Sequence, residues 1–462
     1  MTALQLADAA YTFLPFEPNT QQAVLINALA SFITDGKARD VFVLNGYAGT
    51  GKSSVVGAVV KALDTARVRS VILAPTGRAA KVASQFASHK ASTIHKRLYR
   101  GNSADPANTS FFLAPNKDSD TIFFIDEASL ITDTADRNSL LGDLVRHVYS
   151  APGCRMILIG DMAQLPPVGQ THSTAMEQVR LREFGLEPIY ATLDTPVRQK
   201  EDSGILLNSY NIRKFLFGDF DPSRFAISVR GYDDVKAISS ADLADYLSDS
   251  WSSVGQDETL IITRSNKRAN KFNQAIRSLV MGTDVPIQRG DRIVIARNDY
   301  YWSRINKLSS FIANGDTAEV TWVGRTEKAY GRYFVDIELT LTADGSTVGA
   351  KLMLRSLVAE GPSIPREEME RLYARVMADC DGELSQKIKH AEEDPYYNSL
   401  QAKYAYCVTC HKAQGGQWAH IYIDMGALTP DAICSDFYRW LYTAITRSTS
   451  KVFLINPHLP LR

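Results

Sequence analysis

Several features are scarce in this chain. It holds five cysteines in 462 residues, an odd number. A disulfide framework is therefore not expected, and a reducing, cytosol-like compartment is the default. No stretch approaches the roughly 18 consecutive apolar residues of a membrane span. Met1-Thr2-Ala3-Leu4 offers neither the basic segment nor the apolar core of a signal peptide. The expectation is a cytoplasmic protein, in the host cytoplasm if the chain is virus-encoded. Charge of one sign is also missing, with 51 Lys plus Arg against 51 Asp plus Glu. The strong basicity of many nucleic-acid binders is absent. That does not exclude DNA, because a narrow basic channel fits inside a neutral envelope. Short-period repeats are absent as well.

The chain does hold an alternation of apolar runs and helical spacings. At 45% hydrophobic and 22% charged it reads as globular, and its length suggests about three domains. Val24, Leu25, Ala28, Leu29 and Phe32 have helical spacing. Buried strands are predicted at Asp40–Asn45, Val71–Ala74, Ile122–Ile125 and Met156–Ile159, with a helix over 52–65. Strands alternating with helices imply a parallel sheet covered on both faces. A stretch rich in Asn, Ser, Asp and Pro, from Lys96 to Asp120 around Phe111-Phe112-Leu113, breaks the rhythm. It reads as a small hairpin insertion or a plain surface loop. A second α/β pattern follows, with a strand at Thr259–Thr263 and a helix at Lys267–Leu279. Runs at Arg292–Ile295, Ala318–Val323 and Tyr333–Leu339 then predict an all-β module, followed by helical 366–395. Strands at His420–Ile423 and Val452–Ile455 close the chain.

The strongest chemical signal is Gly46-Tyr47-Ala48-Gly49-Thr50-Gly51-Lys52-Ser53. It fits the phosphate-binding loop Gly-x4-Gly-Lys-Ser/Thr, between a predicted strand and a helix. Its glycines let backbone N–H groups close on phosphates at a helix N-terminus. Lys52 would reach the β- and γ-phosphates and Ser53 would hold Mg²⁺. Asp126-Glu127 ends the strand Ile122–Ile125. There Asp126 is placed for the metal and Glu127 for the attacking water. Gly160-Asp161-Met162-Ala163-Gln164-Leu165-Pro166-Pro167-Val168 follows the next strand. Gln164 would sense the γ-phosphate or the attacking water, although a proline-stiffened loop explains the run equally well. Cys407-x-x-Cys410-His411 has half the look of a zinc site, without a second Cys pair at finger spacing.

Taken in order, these segments resemble the superfamily 1 helicases, and within them the RecD/Dda-like subgroup that moves 5′ to 3′. The resemblance adds Ala74–Ala80, Ser92–His95, Val197-Arg198-Gln199, Asn314-Gly315-Asp316, Thr409–Gly415 and Leu441–Arg447. It runs from about residue 20 to 447, and the stretch from about 320 to 400 carries no matched motif. It implies two RecA-like P-loop NTPase lobes: 1–96 with 121–198, and 199–289 with 402–462. A small pin or wedge insertion would lie at 97–120, and a β-rich SH3-like module at 290–401. The ATP contacts implied are Gly46, Ala48, Gly49, Thr50, Gly51, Lys52, Ser53 and Ser54. Gln21 matches the adenine-reading glutamine, with Gln22 as the alternative register. Lys52, Glu127, Gln164, Arg198 and Arg447 would be catalytic, the two arginines reaching the γ-phosphate. Ser53 and Asp126 would hold Mg²⁺.

Pro75, Thr76, Thr93 and His95, with Thr409, His411 and Lys412, match the DNA-facing motifs. Hydroxyls, amides and cations of this kind contact phosphates without reading sequence. His95 and His411 equally fit satisfied core positions. Tyr300, Tyr301, Trp302, Tyr404, Tyr406 and Trp418 are candidate base platforms, and Phe111 and Phe112 a candidate pin tip. The resemblance implies a monomeric motor using ATP and Mg²⁺ on single-stranded DNA and at forks, with no membrane role. A single-strand-binding protein or other replication, repair or recombination proteins are the implied partners. The competing readings are a translocase that displaces proteins or acts in recombination with little unwinding, and a P-loop switch ATPase that never uses DNA. RNA as the track is a further reading.

Overall fold

The computed structural model describes residues 1–101, 111–133, 139–196, 203–218, 225–308, 311–428 and 433–462. The chain divides into two compact units. One comprises Met1–Arg100, Leu113–Ile238 and Ala413–Arg462; the other comprises Gly101–Phe112 and Ser239–Lys412.

The first unit opens with β1 (Asp40–Gly46), β2 (Ser70–Ala74) and β3 (Ala91–Thr93). β4 (Tyr99–Gly101) and β5 (Phe111–Leu113) form a two-stranded sheet inside the stretch expected as an insertion. Residues 102–110 between them lie outside the described residues. β6 (Ile122–Ile125), β7 (Arg155–Gly160) and β8 (Glu187–Leu193) follow. Six of these strands make one sheet in the order β3-β2-β6-β7-β1-β8, with every pairing parallel. Successive side chains of a strand point to opposite faces, and both faces here are buried. Phe42, Leu44, Ile122, Phe124, Ile157 and Ile159 pack under the helices Thr20–Asp35 and Lys52–Thr65. Val41, Val43, Phe123, Ile125, Met156 and Leu158 pack under the helix Leu140–Tyr149. That is why the predicted strands read as continuous apolar runs. β9 (Val235–Ile238) ends the unit's second segment.

The second unit contains β10 (Thr259–Thr263), then β11 (Arg292–Ile295), β12 (Thr317–Ala329), β13 (Arg332–Leu341) and β14 (Thr347–Met353). β15 (Ala402–Tyr404) and β16 (Cys407–Thr409) complete it. Five strands form an antiparallel sheet, β14-β13-β12-β11-β15. The long β12–β13 hairpin turns on Tyr330 and Gly331, with φ of 50° and 74°. Two consecutive positive φ values are what a two-residue type I′ turn requires. The helices Arg366–Ala378 and Leu384–Glu393 seat Leu372, Val376 and Ala391 against Phe334 and Met353 of the sheet. The expected all-β module is therefore an antiparallel sheet with helical cover, and it takes in Ala402–Tyr404. The helix expected over Lys267–Leu279 is Asn266–Ala275, continued by a π turn at Ile276–Val280.

The chain then returns to the first unit with β17 (Trp418–Asp424) and β18 (Ser448–Ile455). β18 pairs in parallel with both β17 and β9. The helices Gly204–Phe217 and Ser435–Ile445 pack on each other. The expected repeat of an α/β pattern is present.

Candidate nucleotide site

The phosphate-loop motif occupies the turn between β1 and the helix Lys52–Thr65. Gly49 and Gly51 have φ of 74° and 78°, a region that side chains with a Cβ avoid. A Cβ on Gly46 would lie 2.7 Å from Lys52 Cδ, so the loop closes directly over the lysine stem. Thr50 is buried, and its hydroxyl donates to Tyr47 O at 2.8 Å. Ser53 and Ser54 lie in the first turn of the helix.

The two glutamine registers separate here. Gln22 is buried, and its Nε2 donates to Thr50 O at 3.0 Å, which ties the loop to the preceding helix. Gln21 instead donates to Asp194 Oδ1 at 2.8 Å and accepts from the amides of Asp194 and Thr195, both at 3.2 Å. The Gln21 hydrogen bond is the main reason the Asp194 carboxyl titrates below its usual range.

Beyond β6, Asp126 and Glu127 stand where the motif predicts. Glu127 has φ of 51°, a left-handed conformation that costs a non-glycine residue about 1–3 kcal/mol. Asp126 Oδ1 accepts from the Glu127 amide at 2.9 Å. Burial, then the Glu127 charge, pushes the Asp126 carboxyl up to about 6, while Lys52 pulls it down. Asp161, directly after β7, is also raised by burial and lowered first by Lys52. One ammonium therefore faces two buried carboxylates, Asp126 and Asp161. Glu127 Oε2 and Gln164 Oε1 are buried and make no hydrogen bond. Orphaned acceptors at the end of a phosphate loop fit a site built for a hydrated cation and a reacting water, since a buried oxygen without a donor is costly.

The C-terminal segment of the same unit completes the cluster. Arg447 is 5% exposed, with Nη1 3.8 Å from Glu127 Oε1. It is held by Nε donating to Thr443 O at 3.1 Å and Nη1 to Gly416 O at 3.3 Å. Arg198 lies outside the described residues. The helix Ser435–Ile445 also supplies contacts that motif reading passed over. The Tyr442 hydroxyl donates to Asp161 Oδ2 at 2.7 Å and accepts the Ala48 amide at 2.9 Å. Thr443 Oγ1 accepts from the Leu165 amide at 2.8 Å, and Arg439 donates to Met162 O. Gln414 Nε2 donates to Leu165 O at 2.7 Å. Positions 439, 442 and 443 have the i, i+3, i+4 spacing of one helix face. Three hydrogen-bonding side chains on one stripe of a largely buried helix were the available signal.

Two family models match segments that hold this site. Residues 18–214 match an AAA domain, and residues 404–455 match a UvrD-like helicase C-terminal domain. In these two segments the chain is similar to ATPases of the AAA kind and to UvrD-like helicases. Among its relatives is the ATP-dependent RecD2 DNA helicase of Deinococcus radiodurans, 30% identical over 157 residues, which are 33% of this chain and 19% of that protein. Another is the ATP-dependent DNA helicase Dda of Enterobacteria phage T4, 26% identical over 257 residues, 54% of this chain and 55% of that protein. The chain thus spans well under two thirds of the length of either. A solved structure of Pif1 helicase from Bacteroides, in complex with ADP-AlF3 and ssDNA, is 16% identical with a TM-score of 0.48, covering 96% of this chain and 93% of that one.

The DNA-facing candidates fall in both units. Pro75 and Thr76 follow β2, Thr93 ends β3, and His95 lies in the short helix Ile94–Leu98. Thr76 and Thr93 are helix N-caps, accepting from Ala79 N and Lys96 N, each at 3.2 Å. Capping uses the hydroxyl as an acceptor and leaves its proton for a phosphate. His95 is partly buried, and burial lowers its pKa. In the second unit, Thr409 ends β16, with His411 exposed and Lys412 half-buried after it. Burial lowers the Lys412 pKa.

Among the aromatics, Trp418 is buried under the Arg78 guanidinium, 3.9 Å from the ring centroid. Tyr404 and Tyr406 are buried, the latter donating to Asp291 at 2.9 Å. None of these three presents an open face. The Trp302 indole donates to Asn398 O at 2.8 Å, and the Tyr301 hydroxyl to Glu393 O at 2.9 Å.

Tyr442 offers a direct test of the link across the site. Tyr442→Phe removes one hydrogen bond from a buried carboxylate and one acceptor from a buried amide. The expected cost is about 1–3 kcal/mol, read as a lower melting temperature. An unchanged melting temperature would mean that the link adds nothing net.

Proposed function

We propose that the chain is an ATP-dependent DNA helicase that moves 5′ to 3′ along single-stranded DNA and unwinds duplex at forks. The observation that carries this reading is Arg447 lying 3.8 Å from Glu127, beside a phosphate loop tied to the same C-terminal helix through Tyr442. P-loop switches also bring an arginine to the transferring phosphoryl group; what favours a motor is that this arginine comes from the segment similar to a UvrD-like helicase C-terminal domain. The 5′-to-3′ polarity and the DNA track rest on the family resemblance.

In this reading Lys52 binds the β- and γ-phosphates, and the loop amides orient them. Ser53 and Asp126 would hold Mg²⁺, which supplies charge neutralisation on the phosphate oxygens when bound. Glu127 polarises the attacking water and Gln164 reports on it. Arg447, with Arg198, spreads positive charge over the transferring phosphoryl oxygens. Contacts made only with ATP present vanish after hydrolysis, and two grips on the strand alternate with that change. This is a ligand-driven shift between two states. We assign the two α/β layers to RecA-like lobes, the antiparallel sheet to an SH3-like module beside the DNA, and the strands β4 and β5 to a pin. A monomer acting in the cytoplasm with replication or repair proteins fits this picture.

The test is the ATPase rate with and without single-stranded DNA, run beside unwinding of 5′-tailed and 3′-tailed duplexes. Strong stimulation with unwinding of the 5′-tailed substrate alone is expected. DNA affinity should fall steeply as salt rises, since phosphate contacts dominate it. ATPase indifferent to DNA would return the switch reading. Stimulation without unwinding would make the protein a translocase.

A further inference from the structure

The second unit encloses a cavity of about 1020 Å³, between the β12–β13 hairpin, the helix Arg366–Ala378 and the segment 274–286. That is the size of a ligand-binding cleft. Part of its wall is apolar, formed by Pro286, Leu354, Leu357 and Val358. Another part is cationic, formed by Arg332, Arg355, Arg371 and Arg375. A fifth arginine, Arg277, is engaged by Asp291 through bonds of 3.1 and 2.9 Å. Against the four stand two lining carboxylates, Asp284 and Glu368. Glu368 Oε1 is shared, 2.9 Å from Arg355 Nε and 3.8 Å from Arg332 Nε. Arg332 Nε is buried and makes no hydrogen bond. Burial lowers the Arg332 pKa; Glu368 opposes this, and Arg375, Arg371 and Arg355 add to it.

Counting Glu367, 3.9 Å from Arg371 Nη2, the four arginines stand against three carboxylates, and the remaining positive excess is what an anion relieves. Planar guanidinium groups pair with carboxylates in two-point contacts. The apolar wall calls for a ligand that also carries an apolar side chain. Single-stranded nucleic acid would need aromatic faces for its bases. The two rings of the lining already hold cations: Lys328 Nζ lies 5.7 Å from the Tyr333 centroid, and Arg277 Cζ 4.6 Å from that of Tyr404. We propose that this cavity docks an acidic peptide segment of a partner protein, its carboxylates on Arg355 and Arg371 at the rim and its apolar side chain against Leu354 and Val358.

Both rim arginines are well exposed, at 61% and 72% of their side chains, so their replacement leaves the fold intact. The full chain is titrated into three fluorescein-labelled probes and followed by anisotropy. They are a peptide alternating Asp with Phe, the same peptide with Lys for Asp, and oligo(dT). The acidic peptide is expected to bind and the lysine peptide not. The double variant Arg355→Gln/Arg371→Gln should weaken acidic-peptide binding by at least about tenfold, as loss of charge-assisted pairs implies, at a nearly unchanged melting temperature, since the exposed ion pairs lost with Glu368 and Glu367 are worth little. Val358→Asp should weaken it independently. Equal binding of the two peptides, or acidic-peptide binding indifferent to both variants, would overturn the proposal. So would oligo(dT) binding that falls with the double variant while the acidic peptide does not bind, which would make the cavity a nucleic-acid site.

Discussion

Glutamine in place of Glu127 is expected to leave nucleotide bound and to slow hydrolysis by about 10²–10⁴-fold. The amide keeps the carboxylate's shape but cannot polarise a water or take its proton. Glu127 Oε2 is one of two buried, unpartnered oxygens of the cluster, so it has no structural bond to lose. Binding should not suffer, because the Glu127 charge is one cause of the raised Asp126 carboxyl. Its removal lets Asp126 ionise more readily. A group raised by a neighbouring negative charge moves down when that charge goes, so the acid limb of Mg²⁺-ATP binding should shift to lower pH. Single-turnover ATPase kinetics and titration with a fluorescent nucleotide separate the two effects. Wild-type hydrolysis by this variant would move the catalytic carboxylate elsewhere, with Asp161 the other buried carboxylate facing Lys52.

Much of this site was legible because its parts are local. A glycine-rich turn with Lys52-Ser53 and a strand ending in Asp126-Glu127 each bring their chemistry within a few residues of chain. The buried strands were legible because a parallel sheet covered on both faces needs unbroken apolar runs. The cross-links were not, since Tyr442 meets Asp161 across 281 residues of sequence. Periodicity says that the helix Ser435–Ile445 is buried, but not what it is buried against. Which of Gln21 and Gln22 turns toward the phosphate loop had a local answer. Asn19 and Gln22 form a capping box, with reciprocal bonds of 2.9 and 3.0 Å. An Asn followed three residues later by Gln is that signature, and it fixes Gln22 as the residue turned toward the loop. β15 escaped notice because three residues cannot display an alternation. It pairs with β11 only through the fold.

Alanine in place of Arg447 should lower kcat by about 10³–10⁵-fold, the range seen when a guanidinium is withdrawn from a transferring phosphoryl group. Lysine should restore little, because a point charge does not reproduce a planar fork. A structural role predicts something different. Arg447 is buried beside Glu127, and breaking a buried ion pair costs about 3–5 kcal/mol. If that were its whole contribution, the alanine variant would melt early but turn over normally wherever it stays folded. Glu127→Gln would then melt early too, having weakened the same pair. The geometry argues for the catalytic role. At 3.8 Å the pair is longer than a hydrogen bond, and the guanidinium is positioned by Thr443 O and Gly416 O rather than by Glu127. An arginine anchored from behind, with a carboxylate nearby but not bonded, is held for something that arrives between them. Normal turnover per folded molecule in Arg447→Ala would show that nothing does.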